Sequence, residues 1–589
     1  MTPTMPPPMI PTNAKTSIEA RSFLGKVWQL ARPYWRSEER GRAWLLLATI
    51  VALTLFLVFM EVQFTNWNRD FFDSLQNKQF DTFRSLIIYF CGLATVYIIA
   101  AAYATYLTSM LQMRWRAWLT KRYLGDWLDS QTYYRLELEQ SGADNPDQRI
   151  AEDIRLFTGR TLDLSLGLLS AVVTLASFLG ILWTISGPLS FMLGDTEITI
   201  PGYMVWAALL YAVVGSLLTY VVGRRLISLN FEKERLEADF RYGLIRLREN
   251  AEGIALYRGE AIESRGLHER FDRILGNWWD VIRNTKRLQF MTTGYTQVAI
   301  IFPFVVGAPR FFSGVFTLGQ LTQVASAFGQ VQSALSFFVN NFAGASGLAA
   351  WKASVDRLLT FSESLDATRN AQSRDASARI DMPGSSEIIS RNLDVALPGG
   401  RVILNDAAFR IAPGDRILLT GASGSGKSTL FRTIAGIWPY THGRIEVPVG
   451  ARILFLPQRP YLPIGSLHEV IAYPEPASAF DAAAVKDALH ATRMAAFDAR
   501  LDEVQNWSMA MSPGEQQRLT VARALLLRPD WLFLDEATAS LDAATEAQLY
   551  SAIRDRLPDA AIVSIAHRPN VADYHDRRWT IENSRLSSS

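Results

Sequence analysis

The segment Gly421-Ala422-Ser423-Gly424-Ser425-Gly426-Lys427-Ser428-Thr429 has the spacing of a loop that wraps a chain of phosphates. Its glycines let backbone N–H groups turn inward, and a helix opening at its end adds partial positive charge. Residues 416–420 before it read as a strand and residues 430–437 after it as a helix; a chance Gly/Ser-rich turn would lack both flanks. Lys427 is placed to reach the β- and γ-phosphates, and Ser428 offers a hydroxyl to Mg²⁺. Further along, Trp531-Leu-Phe-Leu-Asp535-Glu536 is an apolar strand that ends in two acids. Asp535 suits the Mg²⁺ shell, and Glu536 suits a base that polarises an attacking water. ATP and Mg²⁺ are the cofactors that this set calls for.

These residues need a scaffold. From residue 387 to 589 the chain alternates between strands and helices, as an α/β nucleotide-binding domain should. Residues 362–386 are polar and read as a linker. Before them lies a different composition. Hydrophobic residues make up 49% of the 589, and they gather in runs ahead of residue 350, which argues against a purely soluble enzyme. Six runs are expected to span a membrane, at residues 43–64, 86–111, 162–185, 203–222, 293–316 and 318–348. About 20 residues at 1.5 Å rise cross a hydrocarbon layer of about 30 Å.

Residues 1–17 are Pro- and Thr-rich and are expected to be disordered, while residues 18–36 read as an amphipathic elbow helix in the membrane interface. The membrane domain then covers residues 37–361. Lys and Arg alternate along its connections: seven up to Arg42, three in Thr65–Arg84, eight in Gln112–Arg160, none in Gly187–Gly202 and fourteen in Arg224–Gln289. This bias places both termini in the cytoplasm. The two charged connections are long enough to be helical arms, and Asn145-Pro146 is expected to cap and start a helix in the first. Total charge is nearly balanced, 59 basic against 57 acidic residues, so no general field favours nucleic acid. Cys91, the single cysteine, excludes an internal disulfide or a cysteine metal cage.

Several short motifs carry a resemblance. Ser512-Pro-Gly514-Glu515-Gln is similar to the signature of ABC-transporter ATPases, Leu456-Pro-Gln458 to their Q-loop, Ala539-Ser-Leu-Asp542 to their D-loop and Ile565-Ala-His567 to their histidine switch. Their order and spacing resemble the family across the whole ATPase half. The resemblance implies that each nucleotide is held between the phosphate loop of one ATPase domain and the signature of another. Ser512, Gly514, Glu515 and Asp542 then belong to the binding site across that junction. Gln458 contacts Mg²⁺, and His567 contacts the γ-phosphate and holds Glu536 and water in register. The signature starts Met511-Ser-Pro instead of Leu-Ser-Gly, and Leu393–Arg401 contains no aromatic ring to stack on adenine, so no residue is assigned to that role.

Asn66–Asp73, Asn145–Asp153 and Glu249–Glu260 resemble segments of the peroxisomal fatty-acyl half-transporters and of the SbmA/BacA-like carriers fused to an ATPase. Glu249–Glu260 is then expected to be the coupling surface. The implied fold is a polytopic α-helical membrane domain of six spans, exporter-like with long cytoplasmic arms, fused to an α/β P-loop ABC ATPase. One chain holds one phosphate loop and one signature, which implies a dimer with a second copy or a related half-transporter. In the sixth run, Gln323, Ser326, Gln330, Ser333, Asn340 and Asn341 share one side of a helix, and with Glu61, Gln63 and Asn66 they either line a wet cavity or bond helices together.

The expected function is ATP-driven transport of a bulky solute across a bacterial inner membrane. The SbmA/BacA-like resemblance implies import of a peptide or cobalamin-like molecule; the peroxisomal one implies a fatty-acyl compound or lipid. A proton-linked carrier or channel gated by its ATPase is a third reading, left open by Glu61. A soluble ABC ATPase is excluded by the spans.

Overall fold

The computed structural model describes residues 22–139, 145–193, 196–343, 348–374 and 379–588. The leader at residues 1–17 lies outside them. The chain forms two compact units, one of residues 22–126 and 145–362, the other of residues 127–139 and 363–588.

The first unit is built of long helices. Helix α1 (Phe23–Trp35) is the expected elbow, capped by Ser22, whose Oγ accepts from Gly25 N at 3.3 Å. It is apolar on two sides: Leu30, Ala31, Tyr34 and Trp35 are buried, whereas Leu24 and Trp28 are exposed. Then come α2 (Arg40–Gln76) and α3 (Phe80–Leu128). After the short α4 (Thr132–Glu139), α5 (Ile154–Ser186), α6 (Tyr203–Glu249), α7 (Ala251–Tyr257), α8 (Glu260–Phe312), α9 (Leu318–Ala343) and α10 (Leu348–Arg374) follow. The first four expected spans lie inside helices that run beyond them; the fifth, 293–316, extends past α8, which ends at Phe312, and the sixth, 318–348, extends past α9, which ends at Ala343. At 1.5 Å per residue, α6 alone is about 70 Å long, so span and arm are one rod.

Among the described residues, five helices are long and apolar enough to cross a membrane: α2, the rod that begins with α3, the one that ends with α5, α6 and α8. The expected sixth span corresponds to α9, whose glutamines and serines keep it below that level. The reason is its position. It packs against α2, α5, α6 and α8, and a helix enclosed by others needs no continuous apolar coat. The side chains of Asn340 and Asn341 lie outside the described ones. The connection Gly187–Gly202, which carries no Lys or Arg, folds as an antiparallel hairpin, Pro188–Leu193 with Thr196–Pro201.

Two expectations are corrected. Asn145 does precede a helical turn with Pro146 at its first position, but it sits at φ 51° and its side chain makes no capping bond. Proline fixes the start without it. The presumed linker 362–386 is partly regular, because α10 continues to Arg374.

The second unit holds a mostly parallel sheet with one antiparallel edge strand, Arg585–Ser588. Strands β1 (Arg416–Gly421), β2 (Ile453–Leu456), β3 (Trp531–Asp535), β4 (Ala561–Ile565), β5 (Arg577–Glu582) and β6 (Arg585–Ser588) lie in the order β6-β5-β1-β4-β3-β2. Leu532, Phe533 and Leu534 are fully buried, as a central parallel strand covered on both faces requires. Helix α4 belongs here although it is far away in sequence: Leu138 packs against the core formed by Ile417, Phe431 and Phe533. A second sheet pairs Arg379–Met382, Thr441–Pro448, Ile388–Ala396 and Val402–Ala407.

Candidate functional site

The four adjacent parallel strands β1, β4, β3 and β2 end at one edge of the sheet, and each delivers a motif there. The phosphate loop leaves β1, His567 follows β4, Asp535 and Glu536 close β3, and Gln458 follows β2. Residues scattered over about 150 positions thus meet because parallel strands share a carboxyl end.

In the loop, Gly421, Gly424 and Gly426 have φ values of 150°, 76° and 100°. A Cβ on Gly426 would lie 2.9 Å from Ile403 Cδ1, so a side chain there would close the loop as well as strain it. Gly426 caps α11 (Lys427–Ile434). Lys427 Nζ donates to Gly421 O at 2.8 Å and Ala422 O at 2.9 Å, folding back over the loop. Ser425 Oγ is buried with no hydrogen-bond partner. Ser423 is exposed, and Thr429 is buried in the first turn of α11. A phosphate chain fits this cradle, since it would supply the acceptor that Ser425 Oγ lacks.

Beside the loop, Ser428 Oγ donates to Asp535 Oδ1 at 3.0 Å. Burial holds the Asp535 carboxyl above the usual aspartate range, against the lowering effect of Ser428. This pair suits Mg²⁺, which takes one or two protein oxygens plus phosphate and water. Gln458, expected to join them, instead donates from Nε2 to Glu536 Oε2 at 3.0 Å. His567 Nε2 lies 3.0 Å from Glu536 Oε1. Glu536 has φ 50°, a left-handed conformation that costs of order 1–3 kcal/mol for a non-glycine residue and is typical of functional sites. Its N–H bonds to Ile565 O at 3.0 Å.

The signature lies elsewhere on the unit. Ser512 caps α12 (Pro513–Leu527) in a reciprocal box with Glu515: Ser512 Oγ accepts from Glu515 N, and Glu515 Oε2 accepts from Ser512 N at 2.9 Å and Oγ at 2.7 Å. These bonds hold the Glu515 carboxyl below its ordinary range. Ser512 bonds to no residue of the phosphate loop among the described ones. Gly514 abuts Leu541, where an added Cβ would lie 3.3 Å from Cδ2. Asp542 caps α13 (Ala543–Arg556), accepting from Thr545 N at 2.9 Å and Thr545 Oγ1 at 2.7 Å.

Sequence reasoning missed two groups. Arg568 donates to Leu541 O at 2.5 Å and Ala539 O at 3.3 Å, while Gln517 Oε1 accepts from Ser540 N at 2.9 Å. Together they clamp the Ala539–Asp542 turn. Arg568 adjoins His567, the only signal that could have found it. Next to the phosphate loop, a cavity of about 540 Å³ is bordered by Arg401, Ile403, Ile581 and Asn583 and contains no aromatic ring.

Comparison with known proteins follows the same division of the chain. Residues 30–312 match the ABC transporter transmembrane region 2, and residues 404–539 match the ABC transporter family. The chain is 33% identical to the inner membrane ABC transporter ATP-binding protein YddA of Escherichia coli K12, over 95% of this chain and 98% of that one. It is 33% identical to the chloroplastic ABC transporter D family member 2 of Arabidopsis thaliana, over 97% and 88%. With the human lysosomal cobalamin transporter ABCD4 it shares 25% identity over 94% of each. Its fold is similar to that of a bacterial Atm1-family ABC exporter with ATP bound, at a TM-score of 0.66 and 18% identity, covering 94% and 95% of the two chains.

Proposed function

Because this chain belongs to the ABC transporters, as a half-transporter related to their D family that carries membrane helices and ATPase in one polypeptide, we propose that two copies of it drive a bulky hydrophilic solute across the bacterial inner membrane. ATP hydrolysis with Mg²⁺ is coupled to transport in such a chain. The finer reading concerns partner, substrate and residue roles.

One observation carries it: Glu536 is held at the sheet edge by Gln458 on one oxygen and His567 on the other, beside the Ser428–Asp535 pair. ATP bound here supplies a γ-phosphoryl group to an attacking water. Glu536 accepts that water's proton, and His567 keeps the carboxylate oriented. Lys427 turns from the loop carbonyls toward the phosphates, and Ser428 and Asp535 hold Mg²⁺. Gln458 would join Ser428 and Asp535 in holding Mg²⁺, which would neutralise charge on the phosphates, and its hydrogen bond to Glu536 would link that metal position to the base. Arg401 offers a flat cation at the base-binding side where an aromatic ring is lacking.

The second copy follows from Ser512. Its Oγ and the neighbouring Gly514 N–H sit at a helix N-terminus suited to a γ-phosphate, and among the described residues the Oγ engages only Glu515 of its own cap. A second chain presenting this surface completes the site. Both termini lie in the cytoplasm on the charge bias of the connections. The exposed Leu256 and Tyr257 at the end of α7 support Glu249–Glu260 as the coupling surface. A hydrophilic, cobalamin-like or peptide solute is supported by the polar character of α9, and inward movement by the likeness to SbmA/BacA-like carriers.

The test is uptake into proteoliposomes of a peptide, a cobalamin and an acyl-CoA, with and without ATP, by the unaltered chain and by Glu536→Gln. ATP-dependent uptake of the peptide or the cobalamin, abolished in Glu536→Gln, is expected. Selective uptake of acyl-CoA overturns the substrate class, and uptake unchanged in Glu536→Gln favours a carrier that the ATPase merely gates.

A further inference from the structure

Within the helical unit, α6, α8 and α9 line a partly open cavity of about 210 Å³. Each helix turns one polar stripe to it at helical spacing: Ser216 and Thr219, Thr292 and Thr296, Gln332 and Ser336. No charged side chain lines it. Its shape depends on Tyr295, whose ring stacks on Tyr211 at 4.4 Å between centroids, while the two residues exchange bonds from each hydroxyl to the other's carbonyl, at 2.5 and 3.0 Å. Gly215 makes room for that ring, because a Cβ there would lie 2.1 Å from Tyr295 Cζ. The wall is therefore held by backbone bonds and close packing, independently of any occupant.

The hydroxyls divide into two kinds. Thr219, Thr292 and Thr296 each donate to a carbonyl one turn back on their own helix, at 2.8, 3.0 and 2.9 Å. Their protons are spent, and their oxygens retain lone pairs for the cavity. Ser216, Gln332 and Ser336 make no hydrogen bond among the described residues, so their donors remain available. Neutral donors and acceptors thus converge from three helices that packing fixes.

We infer that this cavity is a subsite for a neutral carboxamide group of the transported solute, which rests on the reading of that solute as hydrophilic. A carboxamide offers one acceptor and N–H donors, matching both kinds of wall group at once. An alkyl chain would leave the Gln332 amide and two serines unpaired, and a carboxylate or phosphate would enter a low-dielectric site with no cation. Size limits the claim further. At about 210 Å³ the cavity lies below the ~300 Å³ of pockets that engulf a drug-sized ligand. It grips an amide-bearing part of a larger molecule.

The test uses the full chain in proteoliposomes and reads the half-saturating concentration for ATPase stimulation, so that each variant's own solute-free rate drops out. Three probes are compared: acetyl-hexaglycine amide, a sarcosine hexamer of equal length without backbone N–H groups, and palmitoyl-CoA. Hexaglycine is expected to stimulate at a concentration about tenfold lower than the sarcosine hexamer. Gln332→Leu is expected to raise the hexaglycine value about tenfold and bring the two peptides together, and the milder Ser336→Ala to shift it in the same direction. Gln332→Glu is expected to turn preference toward a hexaglycine with a free ammonium terminus, a gain that mere damage to packing does not produce. If hexaglycine stimulates equally well in all three variants, the cavity holds only water and the inference falls while the hydrophilic reading stands. If hexaglycine is inert and palmitoyl-CoA stimulates, the hydrophilic reading itself falls, and the inference with it; hexaglycine inert in every case overturns the inference too.

Discussion

His567 Nε2 lies 3.0 Å from Glu536 Oε1, although the two residues end different strands. With Gln458 on the other oxygen, both oxygens of the Glu536 carboxylate are held by protein side chains. Glu536→Gln keeps the shape and removes the base. ATP binding is expected to persist while turnover falls at least about 100-fold. Retained turnover, measured as phosphate release alongside labelled-ATP binding, would remove Glu536 from the role of base.

Arg568 ties the turn Ala539–Asp542 to the residue beside the histidine. Arg568→Ala is expected to lower kcat for ATP about tenfold and to change KM less than about twofold, because the turn loses two donors while the phosphate loop is untouched. Arg568→Lys should recover part of kcat. A KM effect larger than the kcat effect would assign Arg568 to nucleotide binding.

Asp153 is 2% exposed and bonds to Arg149 at 2.7 Å and to both Nε and Nη2 of Arg357, at 2.9 and 2.5 Å. This clamp joins the start of α5 to α10. Asp153→Asn leaves two guanidinium groups short of a counter-charge and is expected to cost about 3 kcal/mol, read as a lower thermal midpoint of the full chain in detergent. Arg357→Ala should cost less, since Arg357 is partly exposed and Arg149 remains.

His575 is packed under the sheet, with Nδ1 2.8 Å from Val571 O and Nε2 2.8 Å from Ser564 Oγ. Burial pulls its pKa below the ordinary histidine value. The unfolded chain therefore binds a proton that the folded one refuses, and this part of the stability is present above pH about 6.5 and lost as pH falls toward the folded pKa. The loss is at most about 1.4 kcal/mol per pH unit. Thermal unfolding of the ATPase unit between pH 7.5 and 5.5 should show it, and His575→Gln should flatten the slope.

Where chemistry demands a fixed string in a fixed context, sequence and structure agree closely. The phosphate loop, Asp535, Glu536, His567 and the Ser512 cap stand on the elements expected of them, because glycine spacing, strand hydrophobicity and capping boxes are local properties. What was not legible depends on packing between distant segments. Leu138 joins the ATPase core, but nothing in its own neighbourhood says so. That Gln458 meets Glu536 was not legible either, because the contact is made by the ends of adjacent strands. On α9, attention fell on the Gln323 side; Gln323 proves to be buried and bonds to Asn66 at 2.9 Å as a link between helices, while Gln332 and Ser336 face the cavity. A helical wheel ranks the faces of one helix, but only the neighbours decide which face is wet.

The most direct measurement counts chains and nucleotides in Glu536→Gln placed in lipid nanodiscs with ATP and Mg²⁺. Two chains per particle holding two unhydrolysed ATP molecules are expected, because each phosphate loop needs the Ser512 surface of the other copy. Particles with a single chain that bind ATP as tightly, together with unaltered single-chain particles that hydrolyse at full rate, would contradict the shared site.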